Sequence, residues 1–171
     1  MPRLFCLLLL LPASSAYSQG AYTFSVAPVT PDYSYTDSRF LARWPHVGLQ
    51  EAKRLLGQPG VAFVDGRSYV EWEAGHLPGA LALPVGEFDK RYAMRRSILR
   101  KAAVLVIYCH GVGCTLAETL AQLLAEKGHR NLAVFWAGYP AWSAAGLDLE
   151  DKDGKKVSAS KALKEVHKKR R

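Results

Sequence analysis

The sequence predicts an α/β domain whose central, mainly parallel sheet is flanked by helices. Three short apolar runs, at 61–64, 102–107 and 132–136, have the length and β-branched content of buried strands. Between and after them lie segments with apolar residues at helical spacing, several of which end in glycine. Strands that alternate with helices in this way are typical of a parallel sheet. A chain of 171 residues, 49% of them hydrophobic, suits one such domain.

The amino terminus does not fit this domain and is interpreted as a secretory signal at 1–18. Arg3 precedes an apolar run at 4–11, and small residues that suit cleavage after Ala16 or Ser18 follow it. The run is far shorter than the roughly 20 residues that a membrane span needs, although an uncleaved anchor remains the alternative. We therefore expect an exported protein, which would be periplasmic if the source is bacterial.

The first elements of the domain follow an irregular lead-in at 19–42, where prolines and tyrosines show no sustained period. Leucines at helical spacing predict a short helix at 49–56, which ends at Gly57. The strand at 61–64 then stops at the turn 65–67.

The next elements are a capped helical turn and a basic helical segment. Ser68 is placed to cap the turn, and Glu71 lies four residues after Arg67, a spacing at which charges pair on a helix. A glycine- and proline-rich stretch leads into a short strand at 81–83. The segment 84–101 predicts one or two short helices with a basic face, which is either simply solvated or attracts a substrate or partner.

A cysteine follows the strand at 102–107. Gly111 and Gly113 spread a loop after Cys109, and a helix begins near Leu116. Loop N–H groups and the positive end of that helix would both face the sulfur, so a depressed thiol pKa and a reactive thiolate are expected. The alternative is an inert, buried structural cysteine.

The carboxyl-terminal part contains one more strand, one more helix and a basic tail. The strand lies at 132–136 and the helix at 139–145, after which apolar residues become rare. The tail, 151–171, holds nine Lys and Arg against three acids and so carries +6 of the net charge of +8. We expect it to be disordered and solubilising, with weak contact with a membrane surface as the alternative. Nucleic acid is not an expected partner. No aromatic residues lie between the charged residues of the tail, and an exported protein would be separated from nucleic acid.

Three stretches together resemble the rhodanese, or sulfurtransferase, family. The first combines 64–67 with 71–80, and is similar to the family pattern Asp-x-Arg followed by Glu-aromatic-x-x-Gly-His-Ile-Pro-Gly-Ala. The second is a strand that ends in Tyr-Cys with a six-residue loop at 109–114, and the third is 136–146. The resemblance implies a rhodanese-like domain at 43–150, and the loop length favours sulfur transfer over phosphoryl transfer.

The resemblance also implies a chemistry for the cysteine loop. Cys109 would take sulfur from a small donor, hold it as a persulfide and pass it to a thiol or protein acceptor, without a cofactor. Amides of the loop would stabilise the persulfide, and the loop residues concerned are His110, Gly111, Val112, Gly113 and Thr115. Many relatives have Arg where this chain has Cys114, so His110 or the basic segment around Arg95 would have to attract an anionic donor. Cys114 is in turn a candidate resolving thiol.

Four polar residues of the first stretch are assigned structural roles. Asp65 can accept N–H groups of a turn, Arg67 and Glu71 can pair, and His76 belongs to the same motif. A catalytic group formed from them is the weaker alternative. A metal site is not expected, because two cysteines on one loop and isolated histidines do not match the ligand spacing of zinc sites.

Three functions remain open at this point. The first is an exported sulfurtransferase that moves sulfane sulfur through Cys109. The second is a thiol/disulfide redox protein that uses Cys109 and Cys114, which could pair in an oxidising compartment. The third is a non-catalytic rhodanese module that binds a partner.

Overall fold

The computed structural model of the protein describes residues 43–171. The predicted signal at 1–18 and lead-in at 19–42 lie outside the described residues. The elements follow one another as β1 (His46–Val47), α1 (Leu49–Leu55), β2 (Val61–Asp65), α2 (Tyr69–Ala74), β3 (Leu81–Ala82), a 3-10 turn (Val85–Glu87), α3 (Phe88–Lys101), β4 (Val104–Tyr108), α4 (Leu116–Glu126), β5 (Leu132–Phe135), α5 (Gly138–Ala144), β6 (Leu149–Glu150), β7 (Lys156–Val157) and α6 (Ala159–Lys169).

Five of the strands form one parallel sheet in the order β1-β5-β4-β2-β3. All five residues of β4, the central strand, are buried, as its continuous apolar run predicts. The sequence-based expectation of a mainly parallel central sheet flanked by helices is therefore confirmed. The segment that follows β3 forms a 3-10 turn and one 14-residue helix.

Helices cover both faces of the sheet. On one face, α3 and α4 bury side chains such as Leu99, Leu120 and Leu124 against β4 and β5. On the other, α1 and α5 bury Leu55 and Trp142. The two layers fix the carboxyl ends of the strands at one edge, which is the usual position of a site in such sheets.

The basic tail is ordered, so the prediction of disorder at 151–171 is wrong. Strands β6 and β7 pair as an antiparallel hairpin, and Ser158 caps α6 by accepting a hydrogen bond from the backbone N–H of Lys161. Ala162 and Val166 of α6 bury themselves against Ala74 of α2. Two apolar residues at a spacing of four are enough to form the buried stripe of a short helix. In the sequence this pair is difficult to recognise, because most of the residues around it are charged.

Within residues 43–171, no helix combines the length and the apolar character needed to cross a bilayer.

Candidate active site at the carboxyl end of β4

The candidate site is the cysteine loop that follows β4. Cys109 comes directly after Tyr108, the last residue of the strand, and only 2% of it is exposed. Cys114 is half-buried at the far end of the loop, and both thiols are free. The loop closes on itself through a hydrogen bond of 3.0 Å from the Cys114 N–H to the Gly111 carbonyl oxygen.

Two glycines allow this loop to pack against the start of α5. Gly111 and Gly138 have φ values of +93° and +58°, in the left-handed region that favours glycine. A Cβ at position 111 would lie 2.7 Å from the carbonyl oxygen of Ala137. A Cβ at position 138 would overlap the carbonyl oxygen of Cys109. The close approach lets the Tyr139 N–H donate a 3.0 Å hydrogen bond to the Cys109 carbonyl oxygen.

The environment of the Cys109 sulfur differs from the expectation of a ready thiolate. N–H groups of Ala117 and Gly111 do point at the sulfur and favour its charged form. Burial outweighs them and, together with the neighbouring Cys114, raises the pKa of the Cys109 thiol to about 12. The prediction of a depressed pKa at Cys109 is therefore wrong for the free thiol, because the sequence reveals the loop amides but not how deeply the sulfur lies.

A carboxylate, an imidazole and a thiol follow one another at the rim of the loop. Glu71 Oε1 lies 2.9 Å from His110 Nε2, and His110 Nδ1 lies 3.7 Å from Cys114 Sγ. The hydrogen bond from His110 lowers the pKa of Glu71 to about 2, against the effect of its partial burial. The same contact raises the pKa of His110 to about 9. At neutral pH the pair is therefore ionic, and His110 brings a positive charge to the loop.

Cys114 is the more acidic of the two thiols. Burial acts to raise its pKa, but hydrogen bonds from the Cys109 thiol, the Leu116 N–H and His110 together lower it. The proton of the coupled pair therefore stays on Cys109, and negative charge is favoured on Cys114.

Asp65 and Arg67 form a buried clasp beneath the site. The guanidinium of Arg67 makes hydrogen bonds to both carboxylate oxygens of Asp65, the shortest at 2.6 Å, and donates to the Gly75 carbonyl oxygen at 2.8 Å. It also lies 3.9 Å from the ring centroid of Tyr139. The expected pairing of Arg67 with Glu71 is wrong, because Arg67 precedes the helix N-cap and its side chain turns inward.

Glu71 has two roles, one of which could not be read from the sequence. With Ser68 it completes a capping box at the start of α2, a role that the local spacing signals. Its contact with His110 joins positions 39 residues apart, so no local pattern reveals it. The same carboxylate lies 3.4 Å from Arg170 at the end of α6. His76 stays out of this group: its ring stacks on Trp72 and its Nδ1 lies 2.8 Å from the Trp72 carbonyl oxygen.

The remaining loop residues line the rim. Val112 is half exposed at the tip, Gly113 turns the chain with a positive φ, and Thr115 precedes the first residue of α4. Within residues 43–171, no three His, Cys, Asp or Glu side chains are grouped as metal ligands would be.

Known proteins match this chain over the same region. The family model of the rhodanese-like domain matches residues 48–145, which is more than half of the chain. The chain is 32% identical over 91 residues to the HTH-type transcriptional regulator Rv0324 of Mycobacterium tuberculosis, covering 53% of this chain and 38% of that protein. It is 27% identical over 100 residues to thiosulfate sulfurtransferase GlpE of Pseudoalteromonas translucida, covering 58% of this chain and 90% of that enzyme.

A solved structure extends the comparison to the fold. The rhodanese-like domain of the Anabaena Alr3790 protein superposes with a TM-score of 0.53 at 26% identity, covering 63% of this chain and 79% of that one. The chain spans well under half the length of the regulator, so the likeness concerns one domain of that protein. The matched region contains the strand, the cysteine loop and the Asp65–Arg67 clasp, and the chain therefore belongs to the rhodanese-like domain family.

Proposed function

We propose that the protein is an exported sulfurtransferase that carries sulfane sulfur as a persulfide on Cys109. One observation carries the proposal: Cys109 lies at the carboxyl end of the central strand, with the N–H groups of Gly111 and Ala117 directed at its sulfur. Such a cradle of amides favours an anion on or next to that sulfur. The similarity to a thiosulfate sulfurtransferase over 90% of that enzyme's length supports the same chemistry.

The proposed reaction is a double displacement. Cys109 attacks through the small fraction of its thiol that is deprotonated: its sulfur bonds to the outer sulfur of a donor such as thiosulfate, the donor S–S bond breaks, and sulfite leaves with the electron pair. An acceptor thiolate then attacks the sulfur held on Cys109, and the Cys109 thiolate leaves. An arginine is absent from position 114, and the imidazolium of His110 supplies the positive charge that attracts an anionic donor to the loop.

The test is the intact mass of the mature protein after incubation with thiosulfate and removal of the excess. We expect Cys114→Ser, in which no second thiol can act on the persulfide, to gain one sulfur atom, and Cys109→Ser to gain none. Sulfur retained by Cys109→Ser would contradict the assignment of the carrier. No sulfur gain in Cys114→Ser and no hydrosulfide released by wild type, with any of several sulfane donors, would favour a non-catalytic binding module instead.

A thiol/disulfide protein is the second candidate, and the contact between the two thiols favours it. Purified wild type that lacks two hydrogen atoms and regains them with a reductant, while it releases no hydrosulfide from any donor and Cys114→Ser gains no sulfur, would establish this function. Its Cys114→Ser variant would then show no such difference.

Export is tested by expressing the full chain with its own amino terminus in a bacterium. We expect the mass of the recovered protein to correspond to cleavage after Ala16 or Ser18, and the protein to fractionate with the periplasm. Uncleaved chain in the soluble cytoplasmic fraction would contradict export without affecting the sulfurtransferase proposal.

A further inference from the structure

The chain of contacts from Glu71 through His110 to Cys114 uses both nitrogens of the imidazole ring. The carboxylate lies 2.9 Å from Nε2 and the thiol sulfur 3.7 Å from Nδ1. Resting on the proposed function, we propose that Glu71, His110 and Cys114 form a relay that makes Cys114 the resolving nucleophile of the loop. In this role Cys114 attacks the Cys109 persulfide and releases the transferred sulfur as hydrosulfide.

Glu71 is held in place independently of His110. The Ser68 hydroxyl donates to Glu71 Oε2 at 2.5 Å, and the Ser68 N–H donates to the same oxygen at 3.2 Å. This leaves Oε1 for His110, with Arg170 of α6 3.4 Å away from it. A fixed carboxylate on one ring nitrogen orients the imidazole and directs the other nitrogen at the thiol.

Each of the residues Glu71, His110 and Cys114 favours the ionised state of its neighbour in the series. Glu71 keeps His110 protonated, and the imidazolium in turn favours a thiolate on Cys114. Arg67 and Arg170 act on Glu71 and keep it ionised. The Cys109 thiol donates to the Cys114 carbonyl oxygen at 3.5 Å and keeps its proton, so the two thiols of the loop differ in protonation before any sulfur arrives.

The difference between the thiols decides which sulfur of the persulfide is attacked. Attack on the outer sulfur would only move that sulfur from Cys109 to Cys114, and it would expel the less acidic of the two thiols. Attack on Sγ of Cys109 expels hydrosulfide, the anion of a stronger acid. The bond between Cys109 Sγ and the outer sulfur of the persulfide breaks, and its electron pair leaves with hydrosulfide. A disulfide forms between Cys109 and Cys114.

The electrons of this step balance within the protein and its cargo. The sulfane sulfur is reduced to hydrosulfide, and the two cysteines are oxidised to a disulfide. An external thiol reductant must then restore the loop by thiol–disulfide exchange. The site would thus couple sulfur release to consumption of reducing thiols, which a carrier with one cysteine does not do.

The first experiment measures the relay without any sulfur transfer. The reduced mature protein is alkylated at a series of pH values, and modification of each cysteine is followed by peptide mass spectrometry. We expect Cys114 to react first, with a midpoint below that of an unperturbed thiol. In His110→Gln its rate near neutral pH should fall roughly tenfold, which corresponds to about one pKa unit.

The carboxylate is tested with a substitution that keeps the helix cap. Glu71→Gln retains a side chain that can complete the capping box and removes only the charge. The matched control is Glu73→Gln on the same helix, which breaks the bridge to Lys169 and does not touch His110. We expect the pH midpoint of Cys114 alkylation to rise in Glu71→Gln and to remain at the wild-type value in the control. Equal midpoints in wild type, His110→Gln and Glu71→Gln would overturn the relay.

The second experiment follows a single turnover with thiosulfate in the absence of added thiol. We expect wild type to end as a disulfide with one hydrosulfide released per chain, and Cys114→Ser to retain the added sulfur on Cys109. If wild type and Cys114→Ser both retain the sulfur, the relay proposal fails while the sulfurtransferase proposal stands. If neither variant ever gains sulfur, the sulfurtransferase proposal itself fails.

Discussion

Asp65 and Arg67 bury opposite charges directly below the loop, with 0% and 4% of their side chains exposed. Two ions removed from water are tolerated only when their hydrogen bonds are satisfied. Here the backbone N–H of Arg67, its guanidinium and the Gly75 carbonyl oxygen complete the set. The clasp thereby ties the end of β2 to the end of α2, and the loop rests on this junction.

Removal of one partner of this clasp should destabilise the fold strongly. In Asp65→Asn the Arg67 charge stays buried without its counter-ion, and we expect the free energy of unfolding to fall by about 3–5 kcal/mol. Urea titration of wild type and variant measures this difference in the free energy of unfolding. The control is Asp89→Asn, which breaks the exposed bridge to Lys127 and should cost less than about 1 kcal/mol. Equal losses in the two variants would contradict a structural role for Asp65.

At the scale of residues, sequence reasoning located the candidate cysteine better than it predicted the protonation state of the thiol. The position of Cys109 follows from the end of an apolar run and the two glycines after it. The protonation of its thiol depends on burial beneath α4 and α5 and on Cys114, and these follow only from tertiary packing. The contact of Glu71 with His110 likewise requires α2 and the loop to be adjacent in space.

At the scale of elements, α6 shows how little apolar surface is needed to dock a helix. Its buried face consists chiefly of Ala162 and Val166, which pack on Ala74. Lys169 adds a bridge of 2.8 Å to Glu73 of α2. A Cβ at Gly75 would lie 2.7 Å from that of Ala162, so the small residue after α2 permits the close approach. The helix thus brings Arg170 to Glu71.

We expect Val166→Ala to loosen α6. The loss of two buried methyl groups should lower stability by about 1–2 kcal/mol, less a small gain in helix propensity. Because the helix docks at the edge of the domain, it should open locally, and trypsin should cut within α6 faster than in wild type. The comparison is Leu163→Ala, which lies on the same helix with 57% of the residue exposed. Faster cleavage in Leu163→Ala than in Val166→Ala would contradict this packing.

The longer elements of the sheet and its helices were largely predictable, whereas the short strands β1, β6 and β7 and the helix α6 were not, and for α6 the reason is physical. Strands β2, β4 and β5 have uninterrupted apolar runs, and Ser68 marks the start of α2 by its capping pattern. Helix α6 has no such run. It is a short helix that packs against a single neighbour, and two apolar residues on one side are enough for that contact. Its many charges lie on the solvent side and resemble those of a disordered tail.

At the scale of the whole molecule, the folding of α6 limits how the basic segment could contact a membrane surface. The segment 151–171 carries +6 of the net charge of +8, and this charge is spread over a folded hairpin, α6 and the two arginines that follow it. Because Ala162 and Val166 are used for packing, Leu163 is the large apolar side chain that α6 still exposes, which is too little apolar surface to insert into a bilayer. Any attraction to a membrane surface must therefore be electrostatic, weak and sensitive to salt.

We propose such a weak contact and expect the mature protein to sediment with vesicles that contain anionic lipid at low salt, but not with neutral vesicles. The exposed Lys164 and Lys168 should each contribute about 1 kcal/mol, so Lys164→Gln with Lys168→Gln should weaken binding roughly thirtyfold. Lys53→Gln with Lys90→Gln removes the same charge from exposed positions elsewhere. Because screening limits attraction to about a Debye length, this control should retain most of the binding. If both pairs weaken binding equally, net charge alone is responsible and the helix is not the contact surface.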